Sequence, residues 1–155
     1  MNNPRFPNRQ SIRLKDYNYS NAGYYHVTIC SNNRKNIFGV IKKHQVELSS
    51  CGQIIKNEWI NLSSTYDNIE LNEFIIMPNH IHGIIILKDK SSYTLGDIIC
   101  RYKSITTRKY NKMNCTKGNV IWQINYYEQI TRNKQQLDRI KQYIIQNPLN
   151  LKLDF

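Results

Sequence analysis

The chain has 155 residues, 40% of them hydrophobic and 21% charged, which is enough for one folded domain with its own core and unlike a disordered tract. Lys and Arg number 22 against 11 Asp and Glu, giving a formal net charge of +11 and a pI near 9.6; this points to a polyanionic partner, nucleic acid ahead of a membrane surface. Cys30, Cys51, Cys100 and Cys115 lie far apart without a Cys-x-x-Cys pair, which argues against a zinc ribbon or a disulfide scaffold, and no apolar run approaches the ~20 residues of a membrane span.

Residues 1–20 carry Arg5, Arg9, Arg13 and Lys15 among Asn, Pro and Ser, and read as a basic arm ahead of a single domain over 1–155. This segment lacks the apolar centre of a signal peptide, so a cytoplasmic protein with reduced thiols is expected. Tyr24 to Cys30 is rich in aromatic and β-branched residues and predicts a strand, followed by a basic turn at Ser31 to Lys35. Ile37–Ile41 and Gln45–Leu48 predict a short hairpin, within which His44, like His26 on the preceding strand, reads as structural. Ser49 or Ser50 can cap a helix running to about Ser63, with Ile54, Ile55, Trp59 and Leu62 on its buried stripe.

Two strands are expected next, over Ile69–Met77 and His80–Leu87, folded back on each other at Pro78-Asn79. The second is apolar on both faces beyond its histidines, as befits the middle of a sheet. Leu95 to about Lys112 predicts a helix with Ile98, Ile99, Tyr102, Ile105 and Thr106 inward. Arg101, Arg108 and Lys112 fall on another face with Lys103 and Lys109 nearby, a pattern that suits a phosphate-binding surface. Val120–Ile130 has the composition of an outer strand, and Lys134–Gln146, stopped by Pro148, that of a last helix with Leu137, Ile140 and Ile144 on its stripe. Strands mixed with single helices predict an α+β sandwich on a mainly antiparallel sheet.

Chemistry concentrates at His80 and His82. Side chains alternate along a strand, so both imidazoles leave one face and can share a divalent ion. Tyr143 and Asn147 are four apart, so they leave the same side of the last helix. Tyr126 and Tyr127 are the competing tyrosines. On a strand one would face inward and the other outward, which suits packing or base stacking.

Met77-Pro-Asn-His-Ile-His82, followed later by Tyr143-Ile-Ile-Gln-Asn-Pro148, resembles the single-tyrosine HUH transposases, and most closely the REP-associated tyrosine transposases and their relatives. Ser11-Ile-Arg-Leu-Lys-Asp-Tyr17, Asn33-Arg34, Tyr102-Lys-Ser-Ile-Thr106 and Trp122-Gln-Ile-Asn-Tyr-Tyr-Glu128 extend the likeness over most of the chain. The resemblance implies a ferredoxin-like HUH endonuclease domain with its helices on one face of the sheet, acting on single-stranded or hairpin DNA. It implies a metal site of His80, His82 and Asn147, Tyr143 as nucleophile, and a 5′-phosphotyrosine intermediate. Relatives often carry a histidine where this chain has Gln129.

The residue types suit that chemistry. A metal on two imidazoles can take up charge developing on phosphate oxygens, and an amide oxygen at Asn147 fits Mg²⁺ or Mn²⁺ as a harder third ligand. A tyrosine hydroxyl, with an ordinary pKa of ~10, needs help to lose its proton as it attacks. Arg34, Arg101, Lys103 and Arg108 are the expected DNA contacts. A monomer is favoured over a homodimer, and no membrane association is expected. The competing interpretation is a non-catalytic nucleic-acid-binding protein that keeps the HUH fold. A histidine-based phosphoesterase would need more histidines or paired His-x-Thr boxes, and neither is present.

Overall fold

A computed structural model describes residues 18–19, 21–88 and 93–149. Its strands are β1 (Gly23–Cys30), β2 (Gly39–Lys42), β3 (Gln45–Leu48), β4 (Ile69–Met77), β5 (His80–Leu87) and β6 (Tyr127–Thr131). Its helices are α1 (Ser50–Thr65), α2 (Leu95–Met113) and α3 (Lys134–Gln146). The expected arm, with Arg5, Arg9, Arg13 and Lys15, lies outside the described residues except at 18 and 19. Among the described residues no helix is long and apolar enough to cross a membrane.

The main sheet has the order β4-β5-β1-β6 with every pairing antiparallel, and β2-β3 form a separate hairpin. Leaving that hairpin aside, the chain runs β1-α1-β4-β5-α2-β6, the ferredoxin-like βαββαβ succession. The strand alternation sorts the sheet into two faces. Val27, Ile29, Ile81 and Ile85 join Trp59 of α1 and Ile98 and Tyr102 of α2 in the larger core. Ile84, with Ile75 and Ile86 packed beside it, joins Leu137, Ile140 and Ile144 of α3 in a smaller one.

Helices α1 and α2 therefore share one face, as expected, while α3 lies on the other. The period of two explains this division: a strand apolar on both faces needs a cover on each side. The irregular register between Leu71 and Phe74 is a bulge that keeps both of these side chains against the α1/α2 core.

Local signals mark the helix boundaries. The Ser49 side chain accepts a hydrogen bond from the Gly52 amide at 3.0 Å and starts α1. Thr94 and Asp97 form a reciprocal capping box at α2, and Asn133 caps α3. On α1 the buried stripe is Cys51, Ile55, Trp59 and Leu62, while Ile54 is only half-buried.

The outer strand departs from its expected span. Only Tyr127–Thr131 pairs along β1; Trp122 meets Ser31 in a single bridge, and the segment between leaves the ladder. Lys103 holds the departing segment. Its Nζ donates to the carbonyls of Gln123 (2.8 Å) and Ile124 (3.1 Å), which turns those groups toward α2.

Gly83 gives the core a test. A methyl group there would lie 2.3 Å from Cζ2 of Trp59, whose ring is buried between the sheet and α1. Gly83→Ala is expected to lower stability by ~1–3 kcal/mol, the usual cost of overpacking, measured by urea denaturation. An unchanged unfolding midpoint would show that the Trp59 ring has room to shift.

Candidate active site under the third helix

His80 and His82 leave the same face of β5, with ring centroids 4.7 Å apart in a T-shaped arrangement. The Tyr143 ring comes down from α3 to 5.3 Å from that of His82, also edge-on. What brings it there is the Leu137, Ile140 and Ile144 stripe, which seats α3 on Ile84. Asn147 follows one turn later at the end of α3 and is buried. His26, from β1, completes the layer with its ring 5.4 Å from His82.

Both candidate histidine ligands are held from behind. Asn79 donates through Nδ2 to the Arg34 carbonyl at 3.5 Å, which leaves its Oδ1 to meet His80 Nδ1 at 2.7 Å. An amide oxygen only accepts, so Nδ1 of His80 is the donor and Nε2 carries the lone pair. On the neighbouring strand, Thr28 Oγ1 lies 2.8 Å from His82 Nδ1. The β1/β5 register sets Thr28 directly opposite His82 and Cys30 opposite His80.

Burial tunes the imidazoles. Desolvation, followed by the nearby His80 and His26, lowers the pKa of His82 to about 3; desolvation lowers that of His26 to about 4. Both rings are neutral near pH 7, the protonation state a metal ligand requires. Cys30, beside His80, is pushed upward by burial, against a smaller downward pull from Arg34 and Lys103. That leaves it a protonated thiol and a poor rival nucleophile.

Two imidazole nitrogens and one amide oxygen suit a divalent ion without selecting which one. The Nε2 atoms of His80 and His82 and Oδ1 of Asn147 are all buried, and the histidines' Nδ1 atoms are already engaged by Asn79 and Thr28. Partners behind the ligating rings are typical of metal-binding histidines. Among the described residues no group of three or more His, Cys, Asp or Glu is arranged to hold a metal ion, so a three-ligand set here depends on the amide.

The expected DNA contacts are dispersed. Arg34 is exposed on the β1–β2 loop beside Asn79, close to His80. Arg101 and Arg108 are exposed on α2, which packs against the opposite sheet face from the histidines. Lys103 holds the Gln123–Ile124 carbonyls, and its ammonium also lies 5.7 Å from the Tyr126 ring centre. Tyr126, just ahead of β6, is buried in the α1/α2 core and Tyr127, the first residue of β6, is exposed. Gln129 stands opposite His26 and is exposed.

Thr28 and Asn79 are the residues that sequence reasoning left without a role. Asn79 sits inside the histidine motif, where a side-chain amide next to a candidate ligand was a readable signal. Thr28 offered none, because only strand pairing brings it to His82.

Residues 19–147 match the family described as Transposase IS200 like. An uncharacterised protein of Haemophilus influenzae is 35% identical over 161 residues, covering 91% of this chain and 88% of its own. Two solved structures share the fold. A REP-associated tyrosine transposase bound to a REP hairpin has a TM-score of 0.61 at 18% identity, over 90% of this chain and 73% of that one. A protein assigned as a transposase from Deinococcus radiodurans R1 has a TM-score of 0.53 at 17% identity, over 88% of this chain and 96% of that one.

Proposed function

The chain belongs to the IS200-like transposase family, within the single-tyrosine HUH transposases and their nuclease chemistry, and from that premise we propose that it cuts and rejoins single-stranded DNA next to a hairpin, with Tyr143 as nucleophile. The observation that carries this reading is the edge-on approach of Tyr143 to His82, 5.3 Å between ring centres, on a sheet face that also bears His80. His80, His82 and Asn147 would hold Mg²⁺ or Mn²⁺, which when bound offsets negative charge on the phosphate oxygens.

In the proposed reaction, the Tyr143 Oη forms a bond to phosphorus and the phenolic proton leaves to water. The P–O3′ bond breaks, the freed 3′-oxygen takes up a proton, and the 5′-phosphate stays on Tyr143. Attack by another 3′-hydroxyl reverses these bond changes and joins two strands without ATP. Asn79 and Thr28 would act as positioning residues, since each holds an imidazole in one orientation. Arg34, which lines one cavity with His80, would meet the strand, and Arg101 and Arg108 would meet DNA beyond the cut.

The substrate class can be tested by binding. A hairpin with a single-stranded flank should bind more tightly than a fully paired duplex of the same sequence. Its affinity should fall on the order of tenfold or more between 50 and 200 mM salt, as neutralised phosphates release counterions. Equal affinity for the duplex would count against this reading. Thr28→Val keeps the shape of the side chain and removes the hydroxyl at His82. It should weaken Mn²⁺ binding by roughly 10–100-fold, with Thr28→Ser restoring it. Unchanged Mn²⁺ affinity in Thr28→Val would deny Thr28 the positioning role.

A further inference from the structure

A cavity opens beside His80, and Asn79 and Arg34 also line it. It encloses about 370 Å³ between the Arg34 loop, the start of β2 and the Met77–His80 turn. We propose that this cavity receives one unstacked nucleobase of the DNA strand, from the nucleotide adjoining the phosphate that Tyr143 attacks. The inference rests on the function proposed above and adds the site that would read the sequence at the cut.

Position is the first argument. His80 lines the cavity, and its ring stands 4.7 Å from His82, which in turn meets Tyr143. A strand whose phosphate lies at the histidines therefore brings its next base to the cavity mouth.

Wall chemistry is the second argument. Val40, half-exposed at 50%, Ile41 and Pro78 offer apolar surface suited to the face of a planar ring. Asn36 supplies an amide with a donor and an acceptor side by side, the pattern that pairs with a base edge. Arg34 at the rim puts a cation where the backbone phosphate would pass. The volume falls in the ~300–1,000 Å³ range of small-ligand sites, ample for one nucleotide.

The third argument is that the walls are built and braced. The Phe38 amide donates to the Pro78 carbonyl and the Ser31 amide to the Asn79 carbonyl, at 2.9 and 2.8 Å. Asn33 and Arg34 both hold left-handed backbone, with φ of 54° and 52°, a conformation non-glycine residues adopt at a cost. A single-stranded base is also the cheapest to take out of a stack.

The test uses the full chain and a hairpin strand with a single-stranded flank, made as a series with one abasic nucleotide at each flank position. Kd and covalent adduct are measured separately. Removing one base, next to the cut, should raise Kd by about tenfold, the size of a lost base contact, while other flank positions change little. Val40→Trp fills the cavity from its exposed lip, so it should weaken binding of the intact strand and erase the abasic penalty at that position. Asn36→Ala should narrow the preference among the four bases there. A flat scan with wild-type protein, or a penalty that survives in both variants, would overturn the pocket. Protein that shows the Kd pattern but never forms an adduct would instead sink the nuclease reading and leave the pocket standing.

Discussion

Tyr143→Phe is expected to abolish strand cleavage while folding and DNA binding persist. The substitution removes one oxygen and keeps the ring, so the edge-on packing on His82 and the seat of α3 on Ile84 are unaffected. Cleavage should fall by roughly four orders of magnitude or more, the scale on which loss of a covalent nucleophile is felt. Wild-type protein given a cognate strand should form an adduct that survives denaturing electrophoresis, and peptide mapping should find it on Tyr143. Tyr127 is the pertinent control, being the exposed member of the Tyr126–Tyr127 pair. An adduct on Tyr127 would put the nucleophile on β6, and cutting undiminished in Tyr143→Phe would remove Tyr143 and α3 from the reaction.

His80→Ala and His82→Ala should each reduce cleavage by roughly 10²–10⁴-fold, corresponding to several kcal/mol of lost charge stabilisation. A binding readout separates metal loss from damage to the fold. At Mn²⁺ a hundredfold above its Kd, wild-type protein should gain ~2.7 kcal/mol of stability, and both variants should lose that gain. Asn147→Ala should lose it in part, as the third donor. Full cleavage by wild-type protein in excess chelator would rule out the metal site. Metal-dependent stabilisation that persists in His82→Ala would place the ion elsewhere.

Much of this arrangement can be read locally. His80 and His82 share a face because any strand alternates, whatever surrounds it. Tyr143 and Asn147 share a side because any α-helix brings i and i+4 together. The apolar stripe of α3, the caps at Ser49 and Asn133, and the turn at Pro78-Asn79 are likewise written in short spans of chain. Even the βαββαβ succession follows from the order of those spans.

What the amino-acid sequence determined by itself was thus most elements, the main positions of their buried stripes and the residues that leave together from one side of each. Only the tertiary structure decided which surfaces meet. A helical stripe states that a face will be buried, but not against which side of a sheet; α3 settled on the histidine side because Ile84 there is left uncovered by α1 and α2. Thr28 reached His82 through the β1/β5 register, a pairing between residues far apart in the chain. Lys103, one of a run of similar cations along α2, meets the Gln123 and Ile124 carbonyls where the outer strand has left the ladder. Periodicity acts between near neighbours and is visible in the chain. Face, register and hydrogen-bond partner arise from competition among distant groups for the same buried space, and no local span encodes that outcome.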